Sequence, residues 1–463
     1  MKKKTKSTVS LKKIITLLLL ALVIAGTVVG LHVIGVGTDL QKQAYMTLAL
    51  LTCVAILFVT EIIPLALTAM SVPVILILTG ISNSEQAFSG LANSSVILFA
   101  GMFVIGASLF ESGVAKMIGD AVVRRAGGSE FKLMVSMLAV TSLLSLFLSN
   151  TGTTAVLLPM VISIANSARL SRSKFLMPMA FIVALGGTIT LIGTPPNIIV
   201  NGVLMENGLR SFGFFEFGLI GVPLLAVGLL YFLNPFVRKR LPDYGVESEA
   251  LEDDNAAKAE EVEIPVYKKW ASVLILAGVV VTMITNIIPL HVASTIGALL
   301  CVLFRVLDEK KAYRAIDWTT IFLFAGMLPL ADAMDRNGAG RMLADMVVNA
   351  IGADASPRVI VSALFLLTCG LTQFMSNTAC ATLIAPIGLA IAVNLGANPH
   401  AVLMTICVAA GCSFATPVST PPNALVLGPG KYKFMDFVKV GLPLTLLCYL
   451  IVVLLLPLLW SFY

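Results

Sequence analysis

Two short polar motifs, each present twice, interrupt apolar stretches of the chain. Ser-Asn-Thr stands at 149–151 and again at 376–378, and Thr-Pro-Pro-Asn stands at 194–197 and again at 420–423. A turn in an apolar stretch frees backbone N–H and C=O groups, which survive at membrane depth only when they are buried in protein or line a wet cavity. Two consecutive prolines remove two donors and prevent a continuous helix. The motifs therefore predict broken helices.

The groups freed at such breaks have the chemistry of an ion-binding site. Carbonyl oxygens, together with Ser, Thr and Asn oxygens, suit a small hard cation, whereas the N-terminal ends of half-helices and amide or hydroxyl donors suit an anion. A dianion can then be held without a buried arginine. A single copy of either motif would usually be a helix-packing polar group or a kink. The matched recurrence of both motifs favours binding instead.

The motifs belong to a longer internal repeat. The residues at 99–102 recur at 324–327 with an offset of 225, the Ser-Asn-Thr motifs are 227 residues apart, and the Thr-Pro-Pro-Asn motifs are 226 apart. Parts of 113–123 also recur within 338–348, and their mixed charged and apolar spacing predicts interfacial amphipathic helices. We divide the chain into an N-terminus with a first transmembrane helix (1–42), a first repeat (43–236), a linker (237–268) and a second repeat (269–463).

Composition places both repeats in lipid. Of the 463 residues 58% are apolar and only 12% are charged, and the mean hydropathy of +0.97 lies far outside the range of soluble domains. Apolar runs of roughly 17–25 residues, long enough to cross a hydrocarbon core of ~30 Å, recur along the chain. The first of them follows a lysine-rich stretch, and we interpret it as an uncleaved anchor rather than a signal peptide.

These runs predict an all-α polytopic membrane protein with about 11 transmembrane helices and two re-entrant hairpins. The hairpins are expected at 131–168 and 356–395, where each apolar stretch is too long for one span and has a polar break in its middle. The predicted spans are 14–36, 43–61, 63–80, 94–111, 177–207, 214–236, 269–290, 292–306, 318–335, 401–428 and 437–460.

Basic residues orient these spans. With the N-terminus in the cytoplasm, 26 of the 31 Lys and Arg residues lie inside, as the positive-inside rule requires. The span at 94–111 then runs inward while its partner at 318–335 runs outward, which makes the halves inverted repeats, an arrangement common in secondary transporters. We expect a multi-pass protein of the inner (plasma) membrane with an extracytoplasmic C-terminus. The five basic residues left outside are Lys42, Arg210, Arg336, Arg341 and Arg358.

The remaining chemistry-bearing residues do not indicate an enzyme. The seven cysteines lie almost entirely in apolar runs without metal-ligand or disulfide spacing, and the three histidines lie near the ends of apolar runs. The sequence contains no HExxH, P-loop or GxSxG motif. Neither catalytic residues nor a nucleic-acid partner is expected.

The paired motifs resemble those of the divalent-anion:sodium symporters, a family that includes bacterial dicarboxylate transporters and animal citrate, dicarboxylate and sulfate carriers. The likeness rests on the paired Ser-Asn-Thr tips, on 193–197 (Gly-Thr-Pro-Pro-Asn) and on the long run at 413–424, and it covers nearly the whole chain after the first span. It implies a homodimer in which each protomer has a scaffold and an elevator-type transport domain. It also implies one co-transported cation more than the two repeat-related sites.

The resemblance assigns site residues in both halves. For sodium it implies Ser145, Ser149, Asn150 and Gly193, and in the second half Thr372, Met375, Asn377 and Ser419. For the substrate it implies Ser149, Asn150, Thr151, Thr194 and Pro195, and in the second half Ser376, Asn377, Thr378, Thr420 and Pro421.

Three functions compete at this point. Sodium-coupled symport of small dianions, above all C4-dicarboxylates such as succinate, fumarate or malate, is favoured because it uses both the cation and the anion sites. A sodium-independent dicarboxylate exchanger, or a citrate or sulfate transporter of the same fold, would keep the anion site. An intramembrane enzyme or a channel would need chemistry that the sequence lacks.

The predicted topology places Glu252 in the cytoplasm and Tyr463 outside it. Single cysteines introduced at these positions should react with a membrane-impermeant thiol reagent from opposite faces, because the basic residues fix the N-terminus inside and the number of full spans is odd. Labelling of intact cells and inverted vesicles measures this. Reaction of both cysteines from one face would contradict the inverted arrangement.

Overall fold

The computed structural model describes residues 13–27, 38–114, 117, 129–244, 264–285, 287–351, 356–417 and 419–462. In these residues the chain forms α-helices joined by short loops and one 3₁₀ turn, Ser89–Ala92, and no β-strand. The helices of the first half are α1 (Lys13–Thr27), α2 (Asp39–Thr60), α3 (Leu65–Leu78), α4 (Ser84–Phe88), α5 (Ser94–Glu111), α6 (Glu130–Ser145), α7 (Asn150–Ser167), α8 (Ser173–Gly187), α9 (Pro195–Glu206), α10 (Gly218–Leu233) and α11 (Pro235–Arg240). Those of the second half are α12 (Val266–Thr285), α13 (Leu290–Leu303), α14 (Glu309–Ala315), α15 (Trp318–Asn337), α16 (Ala339–Ile351), α17 (Pro357–Thr372), α18 (Asn377–Leu395), α19 (Pro399–Gly411), α20 (Pro421–Leu427) and α21 (Phe434–Leu459).

The helices are apolar enough for a membrane-embedded, multi-pass protein. By length and composition, five helical segments of the described residues can each cross a bilayer, or six if the pair α14 and α15, bent by 56°, is one span. Other predicted spans are shorter helices. At 14 residues each, α3 and α13 are roughly 21 Å long, less than a hydrocarbon core, because Pro64 and Pro289 set their starts. The number of spans therefore stays a prediction.

The helices break where the motifs predict. α6 ends at Ser145 and α7 begins at Asn150, and α17 and α18 leave the same gap in the second half. Ser149 caps α7 by accepting from the Gly152 N–H at 3.2 Å, and Ser376 caps α18 by accepting from the Ala379 N–H at 3.2 Å. The re-entrant course of the two hairpins is a statement about the bilayer and stays a prediction.

The proline pairs begin helices rather than kink them. Pro195 is the first residue of α9 and Pro421 is the first residue of α20, positions where a missing N–H costs no helical hydrogen bond. Seven residues separate α8 from α9, and nine separate α19 from α20. Each predicted broken span, 177–207 and 401–428, is thus a helix, an irregular segment and a second helix.

The helix boundaries repeat along the chain. α13 begins and ends 225 residues after α3, and α17 begins and ends 227 residues after α6. Thr194 and Thr420, which precede the two proline pairs, have nearly identical backbone angles, with φ and ψ of −144° and 144° against −138° and 148°. Equivalent sequence therefore adopts equivalent local structure in the two halves.

Each half packs a helix against the other half: α5 lies against α13, and its counterpart α15 lies against α3. We call this arrangement the exchanged packing. The closest approaches use a glycine of each pair. A Cβ on Gly101 would lie 2.7 Å from the Ser294 carbonyl carbon, and a Cβ on Gly326 would lie 2.4 Å from the Ala69 carbonyl oxygen. Neither glycine can be replaced without displacing a backbone. Each half thus supplies a helix to the core of the other.

A second layer of helices carries the motifs. Nearly every residue of α8 is buried, as is nearly every residue of α19, so each of these helices is enclosed on all sides. α8 packs against α6, α7, α10 and α20, and α19 packs against α9, α17, α18 and α21. The irregular segments that follow α8 and α19 are therefore held deep inside the protein.

The other predicted segments are described in part. Gly338 ends α15 at a positive φ of 79°, and α16 (Ala339–Ile351) covers the second predicted amphipathic helix. Most of the first, 113–123, and the acidic part of the linker, 245–263, lie outside the described residues.

Gly326→Ala and Gly101→Ala should lower the thermal unfolding midpoint of the detergent-solubilised protein. Each added methyl group overpacks a backbone contact, which costs about 1–3 kcal/mol. Gly278→Ala is the matched control, because, among the described residues and outside its own helical backbone, no atom lies within 4 Å of a Cβ added to this glycine. In a helix, alanine is more favourable than glycine by about 1 kcal/mol, and this gain is the same at all three positions. The variants therefore differ from the control only in the overpacking. Equal midpoints for Gly326→Ala and the control would contradict the exchanged packing.

Candidate functional site

Four helices begin at the paired motifs, and they meet across the two halves. α7 packs against α20, and α18 packs against α9, so each Ser-Asn-Thr helix contacts the Thr-Pro-Pro-Asn helix of the other half. Helix N-termini carry unpaired N–H groups and a partial positive charge. The arrangement therefore provides sites where an anion can bind between elements of both halves.

The first site is centred on Asn150, whose side chain lies between the α7 tip and the segment before α9. Asn150 is 8% exposed, and its Nδ2 donates to the Thr194 hydroxyl at 3.5 Å. Its carboxamide oxygen Oδ1 is buried and has no hydrogen-bond partner within the described part of the chain. An unpaired buried acceptor is rare in folded proteins and indicates that a donor or a cation belongs there.

A gap beside Gly187 shows what this oxygen faces. A Cβ on Gly187 would lie 2.5 Å from Asn150 Oδ1 and 3.0 Å from the Gly193 carbonyl oxygen. Both oxygens thus border one small space that no side chain fills. Neutral carboxamide and carbonyl oxygens suit a small hard cation. Asn150 and Gly193, two of the residues predicted for the first sodium site, therefore place oxygens that fit a sodium ion at one gap.

The other two residues of that predicted sodium site lie beside it. The Ser145 hydroxyl donates to the Ser142 carbonyl at 3.1 Å. It also lies so close to Gly186 that a Cβ added to this glycine would clash with the hydroxyl oxygen. The Ser149 hydroxyl caps α7. Both hydroxyl oxygens keep a lone pair for a cation.

Asn197 supports the segment between α8 and α9. Its Nδ2 donates to the Gly187 carbonyl at 3.2 Å and to the Thr190 carbonyl at 2.7 Å, and the Thr190 hydroxyl in turn donates to the Leu146 carbonyl of the α6–α7 tip. These bonds satisfy carbonyls that the helix break leaves free. They also join the tip to the segment.

The second half has the same hydrogen-bond array. Asn423 Nδ2 donates to the carbonyls of Ser413 and Thr416 at 3.0 Å each, and the Thr416 hydroxyl donates to the Gln373 carbonyl at 2.7 Å. Donors and acceptors correspond one for one with those of the first half. The repeat therefore extends to individual hydrogen bonds.

The predicted ligands of the second sodium site are more fully paired than those of the first. Asn377 Oδ1 accepts from the Thr378 N–H at 3.0 Å, and the Ser419 hydroxyl donates to the Ser413 carbonyl at 2.9 Å. The Thr372 hydroxyl donates to the Ala410 carbonyl at 3.0 Å, and Met375 is buried. The two sites are thus built alike but are not identical.

Gln373 braces the second tip in a way that the sequence does not reveal. Its Nε2 donates to the carbonyls of Cys369 and Cys412 at 3.0 and 3.2 Å, and its Oε1 accepts from the Ala415 N–H at 3.1 Å. The equivalent residue of the first tip, Leu146, has no side-chain hydrogen-bonding group. Gln373 therefore holds the segment before α20 by contacts that exist in one half alone.

A cavity of about 190 Å³ lies between α5 and the first motif pair. Its lining combines the aromatic face of α5 with polar or small residues of the motifs, all of them uncharged. An anion in it would depend on helix N-termini and bound cations for its charge balance. The motif residues that line it are Ser149, Gly152, Gly193 and Pro195.

The remaining predicted substrate residues lie outside that lining. Asn150, Thr194 and Thr420 are buried, whereas Thr151 and Pro421 are exposed. The second-half tip residues Ser376, Asn377 and Thr378 belong to the other tip. Of the ten residues predicted to bind the substrate, the structure thus brings only Ser149 and Pro195 to the lining of this cavity.

Sequence reasoning did not assign Gly187, Ser413 or Gln373 to the site. The 226-residue offset pairs Gly187 with Ser413, as it pairs Gly193 with Ser419, and this correspondence could have identified both positions. Gln373 has no such signal, because its counterpart is an ordinary leucine.

Comparisons with known proteins identify the family of the chain. A profile of the citrate transporter family (CitMHS) matches residues 55–399 and 355–463. An uncharacterized transporter of Haemophilus influenzae is 30% identical over 89% of this chain and 91% of its own length. The sodium-dependent dicarboxylate transporter SdcS of Staphylococcus aureus is 28% identical over 98% of this chain and 92% of its own length.

A solved structure supports the fold. The antimetabolite efflux pump MtrF of Neisseria gonorrhoeae aligns with a TM-score of 0.58 at 13% identity, over 83% of each chain. An all-helical membrane transporter fold is therefore shared, and the protein is a transporter rather than an enzyme. The resemblance inferred from the paired motifs is confirmed: the chain belongs to the citrate transporter family, alongside the divalent-anion:sodium symporters.

Proposed function

We propose that this protein is a sodium-coupled symporter that carries small dianions, in particular C4-dicarboxylates such as succinate, fumarate and malate. The observation that carries the proposal is the unpaired Asn150 Oδ1, which borders one gap with the Gly193 carbonyl oxygen. Gly193 also lines the adjacent cavity. A cation in the gap would thus stand beside an anion in the cavity, so each would stabilise the other electrostatically.

Sodium and dianion are proposed to bind at the residues assigned from the motifs. In the first half, sodium would take oxygens of Ser145, Ser149, Asn150 and Gly193, and the N–H groups at the start of α7 would meet a substrate carboxylate. The second half would repeat this with Thr372, Met375, Asn377 and Ser419. Thr194, Thr420 and the proline pairs would shape the space between the two tips.

The exchanged packing supports two inverted repeats. Under the predicted topology, α5 and α15 run in opposite directions, and each lies against a short helix of the other half. We propose that this layer is the scaffold of a homodimer, and that the layer around α8 and α19 is the elevator domain that moves. The cavity lies where the two layers meet, between α5 and the first tip.

Exchange is the alternative mode of transport, and citrate or sulfate is the alternative cargo. The family profile favours citrate as a second candidate substrate, because it describes citrate transporters. Counterflow with and without sodium separates symport from exchange. Competition by succinate, citrate and sulfate against labelled succinate in proteoliposomes ranks the substrates.

Asn150→Ala and Asn377→Ala should each reduce sodium-driven succinate uptake into proteoliposomes at least tenfold. Each change removes a carboxamide that is proposed to serve both the cation and the anion. Asn207→Ala is the matched control, since the side chain of this exposed asparagine at the end of α9 donates locally, to the Val203 carbonyl. Size-exclusion profiles of the three variants should match wild type. Near-normal uptake by either site variant would remove that residue from the site.

An inside-negative membrane potential should accelerate succinate uptake, with a Hill coefficient for sodium above one. A dianion alone works against that potential at about 2.3 kcal/mol per charge per 100 mV, and two sodium ions only neutralise it. Three sodium ions, as the family resemblance implies, carry net positive charge inward. Uptake at a fixed sodium gradient under valinomycin-clamped potentials tests this. Potential-independent uptake would indicate an electroneutral cycle with two sodium ions.

A further inference from the structure

Two glycines of the first site are serines in the second. The offset that aligns Thr194 with Thr420 aligns Gly187 with Ser413 and Gly193 with Ser419. In the first half the glycine pair lies so close that a Cβ on Gly193 would be 2.5 Å from the Gly187 carbonyl oxygen. In the second half the Ser419 hydroxyl donates to the Ser413 carbonyl at 2.9 Å. The Ser419 hydroxyl is therefore used in bracing the segment.

The Ser413 hydroxyl is not used in this way. Ser413 is 1% exposed, and its Oγ has no hydrogen-bond partner among the residues that the structure describes, although its backbone carbonyl accepts from both Ser419 and Asn423. A buried hydroxyl without a partner is destabilising, and its presence in a native structure requires an explanation. The hydrogen bonds that hold the segment before α20 do not involve this hydroxyl and so do not explain it.

The first half indicates where this hydroxyl points. Gly187 is the residue whose missing side chain leaves the gap between Asn150 Oδ1 and the Gly193 carbonyl oxygen. Because the hydrogen-bond arrays around Gly187 and Ser413 correspond, the Ser413 side chain occupies the equivalent gap of the second half. The Asn377 carboxamide oxygen, which would border that gap, is instead paired with the Thr378 N–H.

We propose that the Ser413 hydroxyl is a ligand of the cation in the second site. There it joins the residues assigned from the motifs and adds an oxygen donor that Gly187 cannot supply in the first site. The two sodium sites then differ in their oxygen donors, and a loss at Ser413 affects one site alone. This inference rests on the proposed sodium coupling and specifies the cation ligands of the same transporter.

Sodium-dependent thermal stabilisation of the purified full-length protein tests the ligand role without requiring transport. In Ser413→Ala, the sodium concentration for half-maximal stabilisation and the one for half-maximal succinate uptake should both rise about tenfold. In sodium-free buffer this variant should be at least as stable as wild type, because an unpaired hydroxyl has been removed. A hydroxyl with only a structural role would not shift the sodium dependence.

Two further variants complete the experiment. Ser413→Gly reproduces the residue of the first half, and it should show the same loss of sodium affinity if the alanine variant folds poorly. Thr68→Val is the control, because it removes another buried, unpartnered hydroxyl, in α3, which packs against α2, α4 and α15. It should leave the sodium dependence unchanged.

The outcomes separate the two proposals. Wild-type sodium dependence in both Ser413→Ala and Ser413→Gly would overturn the ligand role and leave sodium symport intact, with the hydroxyl paired to water. Absence of any sodium effect on the wild-type protein would overturn sodium coupling and the ligand role together.

Discussion

The structure depends on satisfying backbone carbonyls where helices break inside an apolar protein. Asn197 and Asn423 do this for the two halves, each donating from one side-chain amide to two carbonyls of the segment before it. Without these donors the segments would carry unpaired acceptors in a medium that offers no water. One amide side chain per half thus makes an irregular, buried backbone stable enough to serve as a binding surface.

The same bonds decide which oxygens remain for ligands. Carbonyls bound by the asparagines are committed to structure, whereas Gly193 presents its carbonyl to a gap that also receives Asn150 Oδ1. Binding and folding therefore draw on different atoms of one segment. Under the proposed function, this division would let the segment bind and release an ion without losing the hydrogen bonds that fix its shape.

The positions of the helix breaks could be predicted from the sequence, but the structural differences between the two halves could not. Paired prolines and Ser-Asn-Thr tips act through local backbone chemistry, so the starts of α7, α9, α18 and α20 could be placed from the chain alone. The spans expected at 63–80 and 292–306 likewise coincide with α3 and α13 to within three residues at each end, although apolar runs alone do not show how far a helix extends. The role of Gln373 depends on contacts with residues about forty positions away, which spacing does not encode.

The exchanged packing of α5 and α15 also bears on how the protein is made. α3 and α5 leave the ribosome long before α13 and α15, the helices that fill the close contacts at Gly101 and Gly326. Contacts of such large sequence separation form late, since the entropy of closing the intervening loop opposes them. Until those helices emerge, the faces of α3 and α5 at Ala69 and Gly101 lack their native partners. Biogenesis of the native fold is complete only when the second half arrives.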